Sequence, residues 1–137
     1  MNSDNPVVLL VEGDIVARFP VAQYLRQCGF TVVEAANGDE AKLALKSPEL
    51  KVQVVLADVR TVGGGFALRQ WIAAENFDVT VILAGSIEKA VEQAGDLCNE
   101  GPALAKPYEH RLVLDQIRQA IARRDRNLDE GSGDGES

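Results

Sequence analysis

Apolar residues along this chain fall into short unbroken runs, separated by stretches in which they recur every three or four positions. Val7–Val11 ("VVLLV") is such a run, with no polar residue to mark a solvent-facing side. A strand of that kind is buried on both faces, as in a parallel sheet covered by helices. From Ile15 the spacing turns helical. Val21, Leu25 and Cys28 share one side, with Asp14 as N-cap and Gly29 as stop. Further strands are expected at Thr31–Ala35, Val52–Ala57, Val79–Ala84 and, more weakly, Pro102–Ala105. Asn37-Gly38 turns the chain into a helix marked by Ala41, Ala44 and Leu45, which ends near Ser47-Pro48. Leu68, Trp71 and Ile72 mark the next helix, and Ile87, Ala90, Val91, Ala94 and Leu97 another. Val113, Leu114, Ile117 and Ile121 mark the last. Strands alternating with amphipathic helices predict an α/β domain, a parallel sheet with helices on both faces, over residues 7–123. Residues 1–6 ("MNSDNP") are expected to be disordered. From Arg124 apolar content collapses to Leu128, so 124–137 reads as a disordered acidic tail.

Composition narrows the function. A chain of 137 residues, 46% hydrophobic and 26% charged, suits one ordinary globular domain. Its net charge of −7, with no basic cluster longer than Arg123-Arg124, argues against nucleic acid or an anionic membrane as main partner. No stretch has the apolar length of a membrane span and the start is not signal-like, so a cytoplasmic location is expected. Cys28 and Cys98 are too few and too far apart to read as a disulfide framework or a zinc site, and buried thiols are expected. A lone His110 leaves no Ser-His or Cys-His pair for a hydrolase, and no enzyme activity is expected. The glycines Gly63–Gly65 do not make a dinucleotide loop, because Leu68 stands where the third glycine of that fingerprint belongs.

The candidate chemistry lies at the strand ends. In a parallel sheet all carboxyl ends point to one edge, where ligands bind. Glu12, Gly13 and Asp14 follow the first strand, Asp58 the third and Lys106 the fifth. Carboxylates beside an ammonium at such a cleft can hold Mg²⁺ and receive a phosphoryl group. Plainer roles stand beside these: Asp58 as a strand end that caps a helix, Asp14 as a cap, and Lys106 as an ion-pair partner of Asp58 or Glu12.

Taken together, "VVLLVEGD", "VVLADVR", "VTVILAGS" and "LAKPY", in this order and on these elements, resemble the receiver domain of two-component response regulators. The resemblance runs from about Val7 to about Arg123. It implies a CheY-like, flavodoxin-like five-stranded parallel sheet in the order 2-1-3-4-5. It implies Asp58 as phosphoacceptor from a sensor histidine kinase or phosphotransfer protein, with Lys106 pairing the phosphoryl oxygens. Mg²⁺ would be held by Glu12, Asp58 and the backbone carbonyl of Arg60. Other signalling proteins would dock on the fourth helix, fifth strand and fifth helix. The chain also departs from the pattern. Gly13 replaces the second metal-binding acid, and Asp14 could substitute only through an unusual turn at that glycine. Ala84 replaces the Ser or Thr that bonds the phosphoryl group, with Ser86 expected to cap the next helix, and Ala103 replaces the switch aromatic. Val62 stands where a proline is usual, and the glycines after it predict a mobile loop. Three functions follow: a single-domain phosphorelay receiver with an atypical metal pocket, a phosphorylation-independent interaction module or, more distantly, an unrelated small-ligand binder using the same cleft edge.

Overall fold

The computed structural model describes residues 6–100 and Gln119. β1 (Val7–Val11), β2 (Thr31–Ala35), β3 (Val54–Asp58) and β4 (Thr80–Ala84) form one parallel sheet in the order β2-β1-β3-β4. Helices α1 (Ile15–Gln27), α2 (Gly38–Lys46), α3 (Gly65–Ala74) and α4 (Ile87–Glu100) connect or follow the strands. The expected strand Pro102–Ala105, Ala103, Lys106, the last helix and both chain ends lie outside the described residues. The α/β class and the order 2-1-3-4 therefore stand, and the fifth position is untested.

Alternation within each strand builds two cores. Val8, Leu10, Val32 and Leu56 point to one face of the sheet, under α1 and α4. Leu9, Val11, Ala35, Val55 and Ala57 point to the other, under α2 and α3. Both faces are covered, which is why β1 and β3 carry no alternating polar residue. β3 begins two residues later than its apolar pattern suggested and takes in Asp58, which pairs with Ala84 across the ladder.

Three of the four described helices, α1, α2 and α4, are capped locally by a side chain, while α3 starts at Gly64 without one. Val16 N–H donates to Asp14 Oδ1 at 2.9 Å, Glu40 N–H to Asn37 Oδ1 at 2.9 Å, and Lys89 N–H to Ser86 Oγ at 3.1 Å. Each satisfies a donor that the first helical turn leaves without a backbone partner.

The face taken by α4 is less expected. Right-handed crossovers put α1, which carries the chain one way across the sheet, opposite α2 and α3, which carry it the other way. A right-handed connection adding a strand outside β4 would keep α4 with α2 and α3. Instead Val91, Ala94 and Cys98 of α4 pack with Val21, Ala22, Leu25 and Cys28 around α1. This placement corrects the expectation of free buried thiols: Cys28 and Cys98 are joined in a disulfide, with Cα atoms 5.5 Å apart. Distance along the chain was a poor guide because helix packing sets which cysteines meet. No described helix is long and apolar enough to cross a membrane.

The bond spans a sequence separation of 70. Chain-entropy reasoning values closing so long a loop at about 4 kcal/mol. Reduction should lower the free energy of unfolding by about that amount in a urea titration. The oxidised protein, unfolded in urea, should show no thiol open to alkylation. Two reactive thiols and an unchanged midpoint would contradict the bond.

Candidate functional site

Parallel register sets the site. Val11 pairs with Ala57, so the next residues, Glu12 and Asp58, emerge side by side at the carboxyl edge of the sheet. Both are buried, Glu12 at 7% and Asp58 at 5% relative exposure. Glu12 N–H still bonds the Ala35 carbonyl at 3.0 Å, continuing the ladder toward β2. Its own carbonyl accepts from Arg18 Nη1 at 2.9 Å, while Arg18 Nε bonds Glu34 Oε1 on β2 at 2.9 Å. One arginine of α1 thus ties the end of β1 to β2.

The carboxylates are occupied. Glu12 Oε2 accepts from Asp14 N–H at 3.0 Å. Asp58 Oδ1 lies 3.3 Å from Arg60 Nε, and Asp58 Oδ2 accepts from the Thr61 hydroxyl at 3.4 Å. The same hydroxyl oxygen accepts from Gly13 N–H at 3.1 Å. Thr61 therefore uses both its donor and its acceptor capacity between two strand ends. Across the ladder from Asp58 stands Ala84, whose side chain offers no polar atom; the link there is Val59 N–H to the Ala84 carbonyl at 3.0 Å.

A cleft of about 680 Å³ opens over these groups and extends to Asn37 and Asp39 at the start of α2. It sets four carboxylates, on Glu12, Asp14, Asp39 and Asp58, against the guanidinium of Arg60. Its far wall is the loop between β3 and α3, expected to be mobile. In the structure that loop is fastened: Thr61 N–H bonds the Asp58 carbonyl, Gly64 N–H the Thr61 carbonyl, and Gly38 N–H the Val62 carbonyl at 2.8 Å. Its glycine-rich sequence serves close approach. A Cβ on Gly38 would lie 1.9 Å from the Gly63 carbonyl oxygen, and one on Gly65, at φ +62, 2.9 Å from Val59 Cα.

The structure thus brings Glu12, Asp58, Arg60 and Asp14 to one cleft, and Lys106 lies outside the described residues. Two participants escaped the sequence reading, the Arg60 side chain and Thr61. A hydroxyl three residues beyond a strand-end Asp was the available signal for the second.

Mg²⁺ requires oxygens near 2.1 Å in an octahedral set. The donors here fall short of that. Gly13 carries no ligand, Asp14 Oδ1 caps α1, and a guanidinium nitrogen stands against Asp58. Among the described residues no group of three or more His, Cys, Asp or Glu is placed to hold a metal ion. The residues present do not fit a tight magnesium site.

No protein-family model matches the chain. The chain is 31% identical over 124 residues to a cyclic di-GMP phosphodiesterase of Thermotoga maritima, an alignment covering 85% of this chain and 31% of that protein. It therefore spans less than a third of that relative's length. Among solved structures it is similar to a response regulator receiver protein of Pseudomonas putida, with 26% identity over 68% of this chain and 82% of that chain, at a TM-score of 0.54. It is also similar to the chemotaxis protein CheY4 of Vibrio cholerae, with 25% identity over 85% of this chain and 98% of that chain, at a TM-score of 0.53.

Restoring an acid at position 13 tests the metal argument. A Cβ there would meet the Ala36 carbonyl oxygen at 3.4 Å and Thr61 at 3.9 Å, which is ordinary contact. Gly13→Asp should fold normally and tighten Mg²⁺ roughly tenfold or more in a calorimetric titration. Unchanged affinity would mean that the missing ligand does not belong at this position.

Proposed function

We propose that the chain is a non-catalytic response-regulator receiver domain, like the receivers it is similar to, and that it signals through protein contacts rather than through Mg²⁺-dependent phosphorylation of Asp58. The observation that carries this reading is the company Asp58 keeps: a guanidinium on one oxygen, a hydroxyl on the other, and a glycine in place of the second acid. Phosphoryl transfer depends on neutralising charge at the transferred group, for which a metal ion is the usual agent. Here the exposed guanidinium of Arg60 stands against the carboxylate, and the donor set for the metal is incomplete. The hydroxyl that would bond a phosphoryl group from β4 is absent at Ala84, so an attached group would have little to pull on.

The partners are those of two-component signalling: a sensor histidine kinase or phosphotransfer protein, and other signalling proteins. They would dock on α4 and on the fifth strand and helix that follow it in sequence. Of that surface only α4 belongs to the described residues, and Glu88, Lys89, Asp96 and Asn99 are exposed on it.

A second reading is favoured by the shared cleft of Glu12 and Asp58. In it Asp58 would accept a phosphoryl group, Lys106 and Arg60 would pair its oxygens, and Glu12, Asp58 and the Arg60 carbonyl would be the groups to hold a Mg²⁺ ion that neutralises charge. Incubation with acetyl phosphate and Mg²⁺, followed by intact-mass measurement, separates the two. The first reading expects no phosphoryl adduct, and equal binding of the cognate kinase by the wild type and Asp58→Asn. A stoichiometric adduct that Asp58→Asn abolishes would establish the second reading and end the first.

A further inference from the structure

Through its side chain Thr61 joins the end of β3 to the loop before α1. Its hydroxyl donates to Asp58 Oδ2 and accepts from Gly13 N–H. Its neighbour Val62 accepts from Gly38 N–H. The segment that starts at Asp58 is therefore fastened on one side to the loop before α1, and on the other to the loop before α2. Toward β4, by contrast, Asp58 faces Ala84, and the link among the described residues is the backbone bond from Val59 N–H to the Ala84 carbonyl.

We propose that Thr61 is a positioning residue that couples the state of the Asp58 carboxylate to the loops at the starts of α1 and α2, bypassing β4. The chemistry runs through the hydroxyl proton. With Asp58 ionised, the Thr61 O–H has an acceptor and its oxygen is free to take the Gly13 N–H. Convert the carboxylate to an amide, and Arg60 retains the carbonyl oxygen while the NH₂ turns toward Thr61. The hydroxyl then loses its acceptor and must rotate, competing with the Gly13 N–H and straining the Val62–Gly38 bond beside it. Thr61 is buried, with 9% relative exposure, so water does not readily replace the lost partner.

This rests on the second reading above, in which the carboxylate of Asp58 changes state by accepting a phosphoryl group. An amide replaces the carboxylate in the test, so the result is independent of whether acetyl phosphate modifies the protein. Amide spectra of the full chain are compared for wild type and Asp58→Asn, each also with Thr61→Val and Thr61→Ser. Asp58→Asn should shift the Gly13 and Gly38 amides. The Gly38 shift should be lost with Thr61→Val and regained with Thr61→Ser, which keeps the hydroxyl. A Gly38 shift equally large in the valine background, or not regained with serine, overturns the proposal. So does the absence of any Gly38 shift when Asp58→Asn is made alone, a comparison that needs no Thr61 variant to fold.

Discussion

Pairing between β1 and β3 governs the rest of this molecule. With Val11 opposite Ala57, the first polar side chains beyond two apolar strands, Glu12 and Asp58, surface together at one edge. Because side chains alternate along a strand, a slip of one residue would send Asp58 to the opposite face and bring an apolar neighbour to the cleft. That register is held from below by burial on both faces of the sheet, since Leu9 and Val11 serve one core while Val8 and Leu10 serve the other. The chemistry at the edge is thus specified by hydrophobic packing several residues away.

Two carboxylates brought together under cover repel one another and lose hydration, and each needs compensation. The cleft answers with groups from its own chain. The Asp14 N–H serves Glu12, and Arg60 and Thr61 serve Asp58. A glycine at position 13 removes one further negative charge from the same spot. The arginine side chain is 57% exposed, so its attraction is screened and it holds Asp58 less firmly than a buried partner would. Thr61, which is buried, is the less screened partner, although its contact with Asp58 is longer, at 3.4 Å.

Much of this was legible in the sequence, for reasons that are physical. Unbroken apolar runs bounded by turn residues located all four described strands to within two residues. Asp58 announced itself as the first polar residue after such a run. What sequence could not give was the choice of sheet face for α4. Helical periodicity shows that Val91, Ala94 and Leu97 share an apolar side, but it is silent on which of two equally apolar cores that side enters. The Cys28–Cys98 bond depends on that choice and was hidden with it. Arg60 was missed for a different reason. The resemblance assigns a role to its backbone carbonyl, which directs attention away from a side chain that finds the nearest buried anion.

The loops over the cleft show how composition misleads when contact is left out. Three consecutive glycines beside a missing proline read as slack chain, because nothing in them can pack. In the structure their lack of side chains lets two backbones meet. The Gly38 and Gly63 backbones approach so closely that a methyl group would not fit between them, and the Gly38–Val62 hydrogen bond closes the seam. Substituting alanine at Gly38 would therefore part the two loops rather than stiffen one. The cost would fall on the β3–α3 segment that carries Thr61 and Arg60, and through them on Asp58. Glycine here transmits position, and the cleft keeps its shape through backbone contact.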